Sequence, residues 1–272
     1  MSAGEPLTFL QPHVVDLTRV GRANDGGYVI PTYFLHETRQ VVALGVATDW
    51  SFERDFVSRA SIPCRVVLAD RSSGSWTFAI NALRELFGFQ NRSKSSLKRT
   101  KSWIIHAGLF FWQVRRTGWS FYRRWVVLNV SDVRRDLAFR ELLKKKVRDR
   151  GSVLKIDIEG GEVELLEELV KWNSINTPPI GLIVEFHDVC NKLDGIQKVV
   201  EELSPWYRVV HVHANNYGEV TGGVPEVLEV VFAEKQRVSN MKRSSIPLDG
   251  LDYPNNPLAE EIVLSWKVEG GS

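Results

Sequence analysis

The residues with the clearest capacity for chemistry lie in Ser152-Val153-Leu154-Lys155-Ile156-Asp157-Ile158-Glu159-Gly160-Gly161-Glu162. A short apolar run delivers Asp157 and Glu159, turns on two glycines and enters an acidic helix. Carboxylates at the carboxyl end of a buried strand sit where open α/β sheets bind ligands, and they are costly to hold away from water unless something pairs with them. The same acids would also simply favour the positive end of the helix that follows. Two later stretches end in a related way. Residues 180–186 run into Glu185-Phe186-His187-Asp188, and residues 207–213 into His211-Val212-His213-Ala214-Asn215-Asn216. Period-two alternation puts Glu185 and His187 on one strand face, and His211 and His213 likewise. Asp157, Glu159, Glu185, His187 and His213 would then meet in one crevice, where imidazoles beside carboxylates act as general bases or metal ligands. Their spacing matches no fixed metal motif such as H-E-x-x-H. No metal ligands are assigned on that basis, although a divalent ion, if bound, would take Asp157 and His187.

These groups need a scaffold of alternating strands and helices. Asn24-Asp25-Gly26-Gly27 is a strong turn signal before a short strand at 28–30. Residues 40–44 read as a buried strand, followed by Gly45-Val46-Ala47-Thr48-Asp49-Trp50 and a helix at 51–60. A second apolar strand, 65–69, ends at Asp70. Helical periodicity covers 76–87, 102–109 is apolar enough for a strand, and a basic amphipathic helix is expected at 132–147. Strands at 153–158 and 180–186 flank a helix reaching residue 172. A helix at 195–203 precedes two successive strands, 207–213 and 227–234. The alternation implies a parallel sheet covered on both faces, and the closing strand pair implies an antiparallel edge. In such a sheet the first strand–helix turn faces a cofactor, and an acid ending the second strand, here Asp70, holds ribose hydroxyls. Only Gly45 marks that turn, so a G-x-G-x-x-G match fails, which argues against a dinucleotide and its pyrophosphate.

Composition excludes several classes. The 272 residues, 43% of them hydrophobic, are enough for one large α/β domain. We expect a single domain over 1–272 with an N-terminal extension at 1–36 and a basic, aromatic insertion at about 91–125. Cys64 and Cys190 form no CxxC pair, which argues against a zinc knuckle or a disulfide framework and for a reduced, cytoplasmic setting. No run approaches the ~20 apolar residues of a spanning helix. The net charge of +2 hides an asymmetry: residues 92–150 carry 17 Lys/Arg against 4 Asp/Glu. That segment points to an anionic partner, and it interleaves Arg115, Arg116, Arg123 and Arg124 with seven aromatics between 110 and 125. Aromatics beside arginine suit an anionic acceptor, a peripheral membrane contact or a second subunit in a homo-oligomer. Stacking on a nucleic-acid strand is a further use of such a patch, but no recognised nucleic-acid module is visible.

Together, G-R-A-N-D-G-G-Y-V-I-P at 21–31, L-G-V-A-T-D-W-S-F-E at 44–53, L-K-I-D-I-E-G-G-E at 154–162, I-V-E-F-H at 183–187 and H-V-H-A-N-N-Y-G at 211–218 resemble the FkbM-like branch of the S-adenosylmethionine-dependent methyltransferases. The resemblance spans about 21–232. It implies a class I methyltransferase (Rossmann-like) fold: a mixed seven-stranded sheet with an antiparallel last strand and helices on both faces. It also implies S-adenosylmethionine as cofactor and O-methylation of a hydroxyl on a sugar, glycan or related small metabolite. The alternatives are a nucleic-acid methyltransferase, or a non-catalytic membrane-surface or partner-binding protein on the same scaffold. Carried over by position, Gly45, Thr48, Asp49, Glu53 and Asp70 would bind the cofactor, with Asn24 and Asp25 closing over it. Asp157, Glu159, His187 and His213 would face the reacting centre. The 91–125 segment has no counterpart in that pattern.

Overall fold

A computed structural model describes residues 6–47, 49–72, 108–109, 112–147 and 151–266. The helix expected at 76–87, most of the strand expected at 102–109, and Thr48 lie outside the described residues. The chain opens with an antiparallel hairpin, β1 (Leu17–Gly21) and β2 (Gly27–Pro31), and the short helix α1 (Tyr33–Glu37). Then follow β3 (Gln40–Leu44), α2 (Ser51–Arg59) and β4 (Arg65–Ala69). Beyond these come β5 (Ser120–Tyr122), β6 (Trp125–Val127), β7 (Asp136–Ala138) and α3 (Phe139–Lys146). The second half holds β8 (Ser152–Ile156), α4 (Glu162–Asn173), β9 (Gly181–His187), α5 (Val189–Leu203) and β10 (Tyr207–Ala214). A small hairpin, β11 (Val220–Thr221) with β12 (Val224–Pro225), leads to β13 (Val227–Glu234), and β14 (Ser245–Ile246) pairs with β15 (Leu264–Ser265).

Seven strands form one sheet in the order β5-β4-β3-β8-β9-β13-β10. Counted along the chain, this is third, second, first, fourth, fifth, seventh, sixth. All neighbours pair in parallel except β13, which runs antiparallel between β9 and β10. That order with one reversed strand is the class I methyltransferase fold, as the resemblance implied. The order reverses between β3 and β8, so the ligand crevice of such a sheet belongs at their carboxyl ends.

The sheet is apolar on both faces. On one side, Val42, Leu44, Leu154, Ile156, Leu182, Val184 and Phe186 pack against α3, α4 and α5. Helix α4 offers Leu165, Leu166 and Leu169 at helical spacing, with Glu162 and Glu164 in its first turn and Lys171 in its last. On the other side, Val41, Ala43, Val153, Ile183 and Val231 meet Phe34, Phe52, Phe56 and the β1–β2 hairpin. Among the described residues, no helix is long and apolar enough to cross a membrane.

Most expected strands fall within a residue or two of their observed ends. Two helices start elsewhere than expected, and one segment adds to the fold. Helix α3 begins only at Phe139, because the Asp136 carboxylate accepts the Ser131 and Asp132 N–H groups and the Ser131 hydroxyl, and so closes a loop where a helix was expected. Helix α5 begins at Val189 rather than 195, and Gly195 sits inside it. Beyond β13, residues 245–266 fold back over the sheet, where Trp266 donates its indole N–H to the Leu7 carbonyl at 2.9 Å.

Gly181, at the start of β9, lies under the Phe34 ring; a Cβ there would come within 1.8 Å of the ring's Cζ. Gly181→Ala should lower stability by about 1–3 kcal/mol through overpacking, read as a shift in the urea midpoint with the slope unchanged.

Candidate functional site

The carboxyl edge of the sheet is assembled by strand-end hydrogen bonds. Asp157 N–H donates to the Leu44 carbonyl, Gly45 N–H to that of Ala69, and Asp70 N–H to that of Tyr122, each at 3.0–3.1 Å. The β3 turn can press against the end of β8 only because residue 45 is glycine: its φ is +76°, and a Cβ would overlap the Asp157 carbonyl oxygen. The positive-φ non-glycine residues of the described chain, Ala47, Glu159 and Asp188, all follow strands of this edge. Conformations of that kind cost energy and collect at functional sites.

A pocket of about 400 Å³ opens at the switch point, lined by Gly45 and Ala47 after β3, Asp70 and Ser72 after β4, and Asp157 and Glu159 after β8. Arg124, Trp125, Val126 and Val127 form its other wall. Asp70 is buried and accepts hydrogen bonds from the Ala47 N–H and from the N–H and hydroxyl of Ser72, which fixes the turns on either side of the pocket. Glu159 is exposed at the rim. A second depression, lined by Arg39, Gln40, Arg65, Lys146 and Ser152, lies at the amino ends of the same strands, the edge that such sheets do not use for ligands.

Beside the pocket, the structure brings Asp157, Glu185 and His187 together: one ligand atom from each lies within 4.8 Å of the others. Glu162, from the first turn of α4, accepts from the Gly160 N–H at 2.7 Å and holds His187 Nδ1 at 3.0 Å. This leaves His187 Nε2 facing Glu185 Oε1 at 3.5 Å. The Tyr28 hydroxyl, from β2, lies 3.3 Å from Glu185 Oε2 and 3.5 Å from Asp157 Oδ2. Lys155 projects from β8 onto the same face. Its ammonium is buried 3.6 Å from Asp157 and 5.0 Å from the Tyr28 ring centre. Under it lies Glu53, fully buried on α2, whose carboxylate oxygens find no hydrogen-bond partner among the described residues.

Burial governs the proton affinities. It raises Asp157, and it pushes Glu185 well above the carboxylate range with Asp157 and Glu229 adding to the effect. Burial alone would lower His187, but the hydrogen bond to Glu162 and the charge of Glu185 lift it to about 9. Burial likewise works against the charge of Lys155, and Asp157, Glu53 and Glu185 outweigh it, so its pKa is raised.

A polar row continues across the sheet through registered partners, Glu185 opposite Glu229 and Glu229 opposite His213. His213 sits 3.3 Å from Glu229 and 3.2 Å from Glu261, and His211 is 3.0 Å from Asp252. Asn255 caps Glu229 with a 2.7 Å hydrogen bond. The carry-over of cofactor roles is therefore spatially split. Gly45 and Asp70 line the pocket, whereas Asp49 caps Ser51 N–H at 2.8 Å and pairs with Arg22 at 3.0 Å, and Glu53 lies beneath Lys155. Asn24 donates to the Pro254 carbonyl, and Asp25 lies near Glu229 and Asn255. Both belong to the lid over the polar row rather than to the pocket wall. Tyr28, Lys155, Glu162 and Glu229 were not singled out in the sequence. They lie on β2, β8, α4 and β13, and the signal available in the sequence was for Lys155, which stands at period-two spacing from Asp157.

No protein-family model and no curated protein matches the chain. Among solved structures, the chain is similar to a methyltransferase FkbM from Methylobacillus flagellatus KT, at 12% identity and a TM-score of 0.39, over 72% of this chain and 44% of that one. The match thus spans less than half the length of that relative. Similarity extends to the O-methyltransferase TomG from Streptomyces achromogenes, a complex with S-adenosylmethionine, at 10% identity and 0.37, over 74% and 76%. It extends also to the fibrillarin pre-rRNA processing protein from Methanococcus jannaschii, at 8% and 0.36, over 74% and 68%. These likenesses concern the fold alone, which the strand order establishes independently.

His213 gives the site a pH signature. Burial opposes its charge, but hydrogen bonds to Glu229 and Glu261, with the charges of Glu229 and Asp252, raise its pKa to about 10. The folded state then holds a proton that the unfolded state releases near 6.5. This contribution to stability is complete below about pH 6.5 and is lost as pH rises towards 10. Compared with wild type, His213→Gln should show a shallower fall in denaturant-measured stability between pH 7 and 10, by up to about 1.4 kcal/mol per pH unit, the one-proton limit.

Proposed function

We propose that the chain is an S-adenosylmethionine-dependent O-methyltransferase acting on a hydroxyl of a sugar, glycan or related small metabolite. The observation that carries this reading is the placement of a pocket of about 400 Å³ at the switch point of a class I methyltransferase sheet, directly beside a buried carboxylate–imidazole cluster. The pocket lies within the usual range for small-molecule sites, ~300–1,000 Å³. Its residues fit the cofactor: Gly45 keeps the β3 turn low, Asp70 supplies a carboxylate for the ribose at the end of β4, and no glycine-rich pyrophosphate cradle is present. When bound, S-adenosylmethionine supplies a methyl group on a positively charged sulfur.

The protein's own contribution is positioning and proton removal. Asp157 belongs to both the pocket wall and the cluster, so it marks the boundary between donor and acceptor. A hydroxyl held there would lose its proton to the Asp157 carboxylate, whose proton affinity burial raises, while His187, protonated up to about pH 9, would orient it; such help is worth roughly 10²–10⁴-fold. Orientation of the two reactants would contribute more. Glu159 would guide the acceptor at the rim, and His213 would hold Glu229, and through it the polar row, in place. Arg124 in the pocket wall, with exposed Trp125 beside it, favours an anionic acceptor. Arg115 and Arg116, on the helical turn 112–117, extend that basic surface, with Arg116 stacked 4.7 Å from the Trp112 ring. The same surface would also suit peripheral contact with an anionic membrane.

Calorimetric titration with S-adenosylhomocysteine tests the donor. Wild type should bind at one site per chain, and Asp70→Ala should weaken binding by about tenfold or more, equivalent to ~1.4 kcal/mol. Absence of binding to folded wild type overturns the reading. Saturable binding leads to a methyl-transfer screen over anionic sugars and glycans.

A further inference from the structure

We propose that the loop between β6 and β7, residues 128–135, is a docking surface for an anionic lipid bilayer. The docking stands on the loop's own geometry and charge; its consequence for the acceptor rests on the transferase reading.

Single exposed apolar side chains are ordinary, whereas a concentration of them marks an interaction surface. Among the described residues, six of the thirteen exposed large apolar side chains fall between 109 and 133. Three of the six belong to this one loop: Leu128, Val130 and Val133, the last 73% exposed. The loop that shows them is firmly built. The Asp136 carboxylate accepts the Ser131 and Asp132 N–H groups and the Ser131 hydroxyl at 2.8–2.9 Å. The Asp132 carboxylate accepts the Arg134 N–H at 2.8 Å, and the Asp132 carbonyl accepts the N–H groups of Arg135 and Asp136. Backbone polar groups satisfied from within can approach a bilayer at low cost, and a loop already ordered loses little freedom on docking.

Charge selects the partner. Residues 112–147 carry ten Lys/Arg against three Asp/Glu. Two of those acids, Asp136 and Asp132, are engaged in the loop's own bonds, Asp132 also pairing with Arg135 at 3.3 Å. Arg123, Arg134 and Arg135 are exposed on either side of the apolar residues along the chain. Trp112 and Trp125, each about half exposed, add the side chain that favours the headgroup level. Aliphatic tips set among arginines match acyl chains beneath anionic headgroups. They match other partners poorly. Leucine and valine offer no ring on which a base could stack, and an isologous contact between two copies would set like charges against each other.

The loop continues directly from β6, whose Trp125, Val126 and Val127 line the pocket. Docking therefore brings the pocket to the bilayer surface, within reach of a hydroxyl on a lipid-borne sugar.

The test is flotation of the full chain with vesicles of phosphatidylcholine alone and of phosphatidylcholine mixed with phosphatidylglycerol. Calorimetry with S-adenosylhomocysteine and circular dichroism accompany every variant. Wild type should rise with the mixed vesicles and not with the neutral ones, and added salt should weaken the binding. Arg134→Ala should lower vesicle affinity about fivefold at low salt. Leu128→Ser combined with Val133→Ser leaves the charge unchanged and should lower affinity roughly tenfold or more. Ile175→Ser, at an 84% exposed residue beyond the far end of α4, should float as wild type does. Wild type that fails to float at low salt, or a double variant that keeps wild-type affinity, overturns the proposal. Binding of single-stranded polyuridylate in place of vesicles overturns it in favour of a nucleic acid. Self-association lost in the double variant, without vesicle binding, overturns it in favour of a second copy. Should the double variant lose its circular-dichroism signature, Val133→Ser decides alone. Flotation without S-adenosylhomocysteine binding keeps the docking surface and removes the transferase reading. The reverse result removes the surface and spares that reading.

Discussion

The buried ammonium of Lys155 is the interaction around which the site is arranged. It stands on β8, one residue before the strand's end, with Asp157 at 3.6 Å and the Tyr28 ring under its charge. Without a cation at that point, Glu53, Asp157 and Glu185 would be three acids in an apolar layer formed by Val41, Val153, Ile183 and Phe52. Breaking such a buried arrangement by removing one partner typically costs ~3–5 kcal/mol. The hairpin β1–β2 is drawn into the same account, because it delivers Tyr28 to both Asp157 and Glu185. The N-terminal motif thus serves the site from above the sheet, through its strand rather than through its turn.

The turn has a different task. Arg19 donates to the carbonyls of Arg22, Asn24 and Gly27 and to that of Leu251, and Asn24 donates to Pro254. Asn216, after β10, ties down Asn256, Ala259 and Glu260. These bonds lock residues 247–261 as a cover over the row Glu185–Glu229–His213, and keep that row out of water. Exclusion of water strengthens every charge–charge interaction beneath the cover. The candidate site is a polar stripe built into a hydrophobic sheet, with a solvent-facing pocket at one end.

Much of this was legible in the sequence. Strands ending in Asp157, Glu185-Phe186-His187 and His213 announced themselves by apolar runs terminating in titratable residues, and alternation placed Glu185 and His187 on one face. The parallel body of the sheet and its antiparallel last strand followed from alternating elements and a final strand pair, whereas the strand order came from the structure. What stayed hidden depends on contacts between segments distant along the chain. Lys155 reads as an interruption of an apolar strand until Glu53, from α2, is seen beneath it. Glu229 gains its meaning from its register against Glu185 and His213. The 245–266 cover has no periodicity of its own, since its hold consists of single side-chain bonds such as Asp252 to His211 and Asn255 to Glu229. Sequence position also grouped Asp49, Glu53, Asn24 and Asp25 with Gly45 and Asp70. In three dimensions the sheet's edge divides them between pocket, underlayer and cover.

The most direct measurement is a crystal structure of the chain with S-adenosylhomocysteine. The account predicts the ligand between the β3 turn and the end of β4, with its ribose at Asp70 and its sulfur towards Asp157 and the Glu185–His187 pair. A ligand bound elsewhere, or one whose sulfur points away from Asp157, would contradict it.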